Sequence, residues 1–175
     1  FFASNGKELP YEIVDWNVSG ISNIWVKVPS ISGNNTVLTA AWGKTGTETT
    51  PDYATDDPVW SENFGGVWHF TTESTLFPDS SPNSNHATRN AVSVSNTGQV
   101  GKGASFTGTE FADVAFSESL NTDNFSISIW AQTKQKKENA RQFLLGTTGG
   151  KNNWWRGWDF YLDDENHLNV RLINM

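Results

Sequence analysis

Apolar and polar residues alternate at period two in several stretches of the chain. Ile24, Val26 and Val28 fall on one side of an extended backbone, with Trp25 and Lys27 on the other. Phe125, Ile127 and Ile129 alternate in the same way with Ser126, Ser128 and Trp130, and Leu168, Val170 and Leu172 with Asn169 and Arg171. Successive side chains of a strand point to opposite faces, so this pattern predicts half-buried antiparallel strands. Further strands are expected at 11–16, 36–42, 66–70, 104–106, 111–114, 143–145 and 158–162. Turn formers separate them, as in Ser32-Gly33-Asn34-Asn35, Pro82-Asn83-Ser84-Asn85, Gly149-Gly150-Lys151-Asn152-Asn153 and Asp163-Asp164-Glu165-Asn166. Segment 134–141 is charged and lacks an apolar stripe, so it reads as a solvated hairpin loop and not as a helix. Many short strands with frequent turns predict an all-β fold, an antiparallel β-sandwich or jelly roll.

Length and composition narrow this picture. A chain of 175 residues suits one domain or two small ones. Residues 44–58, rich in Thr, Asp and Pro and without hydrophobic period, read as a connector between two β-rich parts, 1–61 and 62–175. The chain starts on Phe1 and closes on Met175 in mid-alternation, so both ends read as cuts and both parts as truncated. Nine Trp and eleven Phe exclude a disordered acidic tail. A net charge of −7 leaves no broad positive surface for phosphates, so nucleic acid is not an expected partner. Without cysteine there is no disulfide framework, thiol nucleophile or Cys-based zinc site. Long apolar runs are missing too, so no membrane span is expected.

Four segments of the second part occur in a telling order: Gly66-Val67-Trp68-His69-Phe70, Asp79-Ser80-Ser81-Pro82-Asn83-Ser84-Asn85-His86-Ala87, Gly101-Lys102-Gly103-Ala104-Ser105-Phe106-Thr107-Gly108, and the run from Leu120 through Phe125-Ser126-Ile127-Ser128-Ile129-Trp130. In order and spacing they resemble the laminin-G-like (concanavalin A-like lectin/glucanase) jelly-roll module of bacterial surface proteins. In the first part, Leu9-Pro10-Tyr11-Glu12-Ile13, Ile24-Trp25-Val26-Lys27-Val28-Pro29 and Val59-Trp60 resemble the C-terminal half of a bacterial β-domain of unknown function, DUF2341. The resemblance implies a tandem of two β-domains in a secreted or cell-surface protein, located extracellularly or in the cell envelope.

Catalysis has little to rest on. Retaining glucanases need two carboxylates about 5–5.5 Å apart. Glu12 and Asp15 are three residues apart and are expected to point to opposite faces, and Asp163-Asp164-Glu165 falls in a turn. His69, His86 and His167 form no metal motif, and the runs around Ser105 and Gly146 miss the nucleophile-elbow and P-loop patterns. No enzyme is expected from these residues, and catalysis, if the parent protein has any, is expected from another part of it.

Two candidate sites remain. Calcium takes six to eight oxygen ligands, and the turn with Asp79, Asn83 and Asn85 concentrates such groups. The same residue types also cap turns by bonding backbone N–H groups, and the single carboxylate weighs toward that reading. The second site is the run Asn152-Asn153-Trp154-Trp155-Arg156-Gly157-Trp158-Asp159. Indoles stack on the C–H faces of sugars while amides, Arg and Asp bond the hydroxyls. Trp158 and Phe160 share a strand face and are expected in the core, whereas Trp154 and Trp155, with Asn152, Asn153, Arg156 and Asp159, are the glycan candidates. The expected role is a non-catalytic module that binds polysaccharide or a surface protein. A structural spacer, or an ancillary domain of a polysaccharide-degrading enzyme, is the alternative.

Overall fold

Extended chain supplies all the regular structure apart from two 3-10 turns at Gly33–Asn35 and Glu118–Leu120, and no α-helix occurs among the described residues. The computed structural model describes residues 1–46, 49, 59–61, 63–133, 140–147 and 157–173. Most of the connector 44–58 and of the loop 134–141 lies outside them. The chain divides into two compact units, Phe1–Phe125 and Ser126–Met175.

In the first unit β1 (Phe2–Ala3) pairs with a strand at Leu38–Thr39, which is β4. Between them β2 (Tyr11–Asp15) and β3 (Asn23–Val26) form a hairpin. A three-stranded sheet follows, with β5 (Leu76–Phe77) and β9 (Phe111–Val114) on either side of β6 (Ala87–Asn90). A further pair joins β7 (Ser93–Ser95) to β8 (Gly103–Ser105). In the second unit β10 (Gln142–Gly146), β11 (Gly157–Leu162) and β12 (Leu168–Ile173) form one sheet in sequence order. Every strand pairing is antiparallel. Among the described residues the all-β, antiparallel expectation is borne out, as five small sheets and no closed barrel.

Strands form where alternation coincides with a partner. The expected strands at 111–114, 143–145, 158–162 and 168–172 are all present as β9 to β12. Residues 66–70 supply only an isolated bridge, Trp68 to Asp79. The alternation from Phe125 to Trp130 makes no strand among the described residues, and Ile129 and Trp130 are exposed. Periodicity shows which face a strand would bury, but a ladder needs a second chain segment alongside. Conversely β6, Ala-Thr-Arg-Asn, has no hydrophobic period and yet sits at the centre of its sheet, because Ala87 packs beside Phe77.

Phe77, Ala87 and Val92 are the buried centre of the first unit, with Trp68, Phe70, Val94, Ala104, Ala112 and Val114 packed around them. Phe70 meets Phe77 edge to face at 4.9 Å, a favoured aromatic geometry. Arg89 covers this core with its guanidinium 5.6 Å from the Phe77 ring and hydrogen bonds to the carbonyls of Val92 and Ser74.

One irregularity corrects the sequence reading of the two acids. The register of β2 on β3 shifts between Ile13 and Asp15, so that Glu12 pairs with Trp25 and Asp15 with Asn23. Cross-strand partners share a face, and Trp25 and Asn23 lie two apart on regular β3. Glu12 and Asp15 therefore share a face as well, because a bulge absorbs the extra residue.

In the second unit, the β11–β12 hairpin takes its register from its turn. Asp163 Oδ1 accepts the N–H groups of Glu165 (3.0 Å) and His167 (2.8 Å), and Asn166 adopts a left-handed φ of 66° that asparagine tolerates well. This closes the ladder at Leu162 and Leu168 and sets Tyr161 opposite Asn169 and Asp159 opposite Arg171. Trp158 and Phe160 share the other face, as expected, with rings 5.6 Å apart, but both are half-buried and outside the buried core, and their partners Leu172 and Val170 are exposed.

Candidate binding site

Strand alternation gives one face of β10–β11–β12 an unusual composition. Asp159 and Tyr161 on β11 share it with Arg171 and Asn169 on β12 and with Phe143 on β10. Phe143 and Tyr161 lie 5.8 Å apart. The Arg141 guanidinium stands 4.8 Å from the Tyr161 ring centre, and that of Arg171 stands 5.9 Å from it and 5.8 Å from the Phe143 ring. Cations hold such positions because the ring face is electron-rich.

An open groove of about 310 Å³ runs along this edge, lined by Ala140, Arg141, Tyr161, Asp163, Asp164 and Asn169. Asp163 orders it. Besides the turn amides it accepts the side-chain N–H of Asn169 at Oδ2 (3.0 Å), while the same amide nitrogen reaches the His167 carbonyl (2.9 Å). The His167 N–H bond, opposed by partial burial and joined by the Asn169 and Glu165 bonds, holds the Asp163 carboxyl below its ordinary value. Asn169 is left with its carbonyl oxygen as an acceptor. Asp164 is exposed and takes part in no hydrogen bond or ion pair among the described residues. The groove thus offers an aromatic face, a guanidinium donor, and carboxylate and amide acceptors.

Of the glycan candidates from the sequence, Asn152, Asn153, Trp154, Trp155 and Arg156 lie outside the described residues. Asp159 is described, and it is 1% exposed. Its carboxylate accepts Arg171 Nε at 3.0 Å and 3.2 Å and also bonds Nη2, so it acts on this face through Arg171. That hydrogen bonding, with burial opposing it, raises the Arg171 pKa and keeps the guanidinium charged. Sequence reading passed over Tyr161, Arg141 and Asn169. Residues 159, 161, 169 and 171 do stand at strand period, and that spacing was the available signal.

The Asp79 turn is built as a cap. Asp79 Oδ1 accepts the N–H groups of Val67 (2.7 Å) and Ser81 (2.8 Å), and Oδ2 accepts the N–H of Asn85 (2.8 Å) and the Ser81 hydroxyl (2.7 Å). Asn83 Nδ2 donates to the Phe64 carbonyl (2.7 Å), and Asn85 Nδ2 to the Gly65 carbonyl (2.7 Å) and Ser119 Oγ (2.8 Å). The structure brings the three calcium candidates into one loop, with both Asp79 oxygens engaged by protein donors. Among the described residues no group of three or more His, Asp and Glu side chains gathers as a metal would need.

A second polar cluster, invisible to sequence motifs, surrounds Glu12. Its Oε1 accepts the Ser80 hydroxyl at 2.5 Å, and its Oε2 accepts the Trp60 indole N–H at 2.5 Å and meets His69 Nε2 at 3.0 Å. Burial raises the carboxyl's pKa, but the bonds from His69, Ser80 and Trp60 and the charge on His69 outweigh it and hold the group below its ordinary value. An ionised carboxylate only accepts, so the proton of this bond sits on Nε2. Serine, histidine and glutamate meet here without forming a catalytic relay, because Ser80 and His69 both bond the acid and the hydroxyl is committed to it.

No protein-family model, curated protein or solved structure matches the chain. Among the described residues no helix is long and apolar enough to cross a membrane.

Proposed function

We propose that the chain is a non-catalytic binding module of a larger bacterial protein, extracellular or in the cell envelope, with a laminin-G-like jelly-roll architecture and carbohydrate as its ligand. The observation that carries this reading is the groove at Tyr161. A sugar ring presents C–H groups that pack on an aromatic face and hydroxyls that both donate and accept. Tyr161 supplies the face, Arg141 the donor, and Asp164 and the Asn169 carbonyl the acceptors. An open, polar groove of this size suits one or two rings of a longer chain. The lining carries one cation, Arg141, and two carboxylates, Asp163 and Asp164, so its net negative charge disfavours an acidic glycan.

Affinity electrophoresis of the full chain through gels of neutral and acidic polysaccharides tests the reading. Retardation by a neutral polysaccharide is expected, with Tyr161→Ala binding about tenfold more weakly, the cost of one stacked ring. Trp154→Ala and Trp155→Ala test the two indoles in the same assay. Migration unaffected by every polysaccharide would leave a structural spacer as the better description. Retardation unchanged in Tyr161→Ala would move the site elsewhere.

A further inference from the structure

Glu12 is the point at which distant segments of the first unit meet. The three donors on its carboxylate, Trp60, His69 and Ser80, come from 48, 57 and 68 residues further along the chain. Around it the rings form a continuous group: Trp25 lies 5.2 Å from Trp60 and 6.3 Å from His69, and Trp60 lies 5.2 Å from Phe64 and 5.7 Å from His69. The Glu12 side chain is 25% exposed and that of His69 15%, so water reaches the cluster without flooding it.

We propose that Glu12 is an acid-released latch: its carboxylate holds the β2–β3 hairpin onto the segments carrying Trp60, His69 and Ser80, and its protonation releases the Trp60 indole and loosens the hairpin. Two carboxylate oxygens serve three donors, and each bond gains from the negative charge. A protonated carboxyl loses that charge, so the bonds from Trp60 and His69 weaken to those of a neutral acceptor and the Ser80 contact must reverse its direction or break.

The other charged and titratable groups on these elements are engaged elsewhere or not bonded to Glu12. Asp15 shares the face of Glu12 on β2. Lys27, following β3, bonds Ser61. Asp79, next to Ser80, is occupied by the amides of its own turn, and His86 Nδ1 accepts the Asp79 N–H at 3.0 Å. His69 is the one titratable group bonded to Glu12 among the described residues. Protonation of Glu12 is the step that opens the latch.

Indole ¹⁵N–¹H spectra of the full chain, with the Trp60 signal assigned through Trp60→Phe, read the latch directly. Between about pH 7 and pH 3 the Trp60 indole proton is expected to leave its hydrogen-bonded position and exchange with solvent at least about tenfold faster. The midpoint should fall below the ordinary glutamate value of 4.5, while the Phe77 amide stays protected. Glu12→Gln, which keeps the shape and loses the charge, should show the released signal at every pH. A Trp60 signal that does not move in the wild-type chain, or that matches Glu12→Gln at neutral pH, overturns the proposal. So does simultaneous loss of Trp60 and Phe77 protection, which marks global unfolding. The wild-type titration decides even if Glu12→Gln does not fold.

Discussion

Asp159 and Arg171 are register partners on β11 and β12, and their side chains meet across the ladder with the carboxylate buried and the guanidinium 29% exposed. The pair explains how a cation comes to lie among aromatic rings. Asp159 anchors the guanidinium from beneath, and the Arg171 side chain then spans Phe143 and Tyr161. An acid that reads in the sequence as a sugar-binding group thus works as a support for the face that carries the groove.

Replacing Arg171 with Met takes the guanidinium from the buried Asp159 carboxylate, and an uncompensated buried charge of this kind costs about 3 kcal/mol. Urea unfolding should show that loss in the single variant. The double variant Asp159→Leu/Arg171→Met should recover most of it, because the buried charge is then gone as well. A single variant as stable as the wild type would show that the ion pair does not support the sheet.

Glu110 accepts four short-range bonds: from Thr107 N–H (2.7 Å), Thr107 Oγ (2.6 Å), Gly108 N–H (2.8 Å) and Thr109 N–H (3.2 Å). The Thr107 hydroxyl leads these in holding its carboxyl at a pKa of about 2. A depressed folded-state value means that this stabilisation is complete above about pH 4.5 and is lost as pH falls toward 2. Carbonyl ¹³C titration should place the Glu110 midpoint near 2. A midpoint near 4.5 would mean that the 107–110 turn does not hold the carboxylate in solution.

Asp79→Ala leaves the N–H groups of Val67, Ser81 and Asn85 without their acceptor in a buried loop. Buried donors left unsatisfied put the expected loss at about 3 kcal/mol or more. As the Asp79 oxygens are engaged by protein donors, calcium and EDTA should leave the melting temperature unchanged. A rise with calcium that disappears in Asp79→Ala would instead make this loop a metal site.

Phe77→Ala should cost about 3–5 kcal/mol, since the ring is fully buried among Phe70, Ala87 and Val92 and its loss leaves a cavity. Phe77→Leu should cost less than half as much. Thermal or urea unfolding followed by circular dichroism measures both. Equal, small losses would mean that this cluster is not the core of the first unit.

Much of the fold was legible in short stretches. Tyr161 and Asp159 alternate with Phe160, Asn169 and Arg171 alternate with Val170, and Asp163-Asp164-Glu165-Asn166 reads as a turn. These features alone pair β11 with β12, because a tight hairpin brings sequence neighbours together. The groove was harder to see. Its Arg141 comes from beside β10, and nothing in residues 140–146 announces that a guanidinium will rest on the Tyr161 ring. The bulge in β2 was hidden too: with strict alternation Glu12 and Asp15 diverge, and only the pairing with Trp25 and Asn23 puts them side by side.

Period-two alternation and the placement of Gly, Asn, Asp and Pro were enough to establish an antiparallel β-protein and most of its turns, because both act between residues a few positions apart. The Glu12 cluster needed the folded chain. Its donors lie 48 to 68 residues away, and a carboxylate bears no local mark of which distant indole, imidazole or hydroxyl will reach it. The same holds for Phe125 to Trp130, whose alternation is as regular as that of β12. One became a strand and the other did not, since hydrogen bonds between strands depend on a neighbouring segment and not on the pattern of the strand itself.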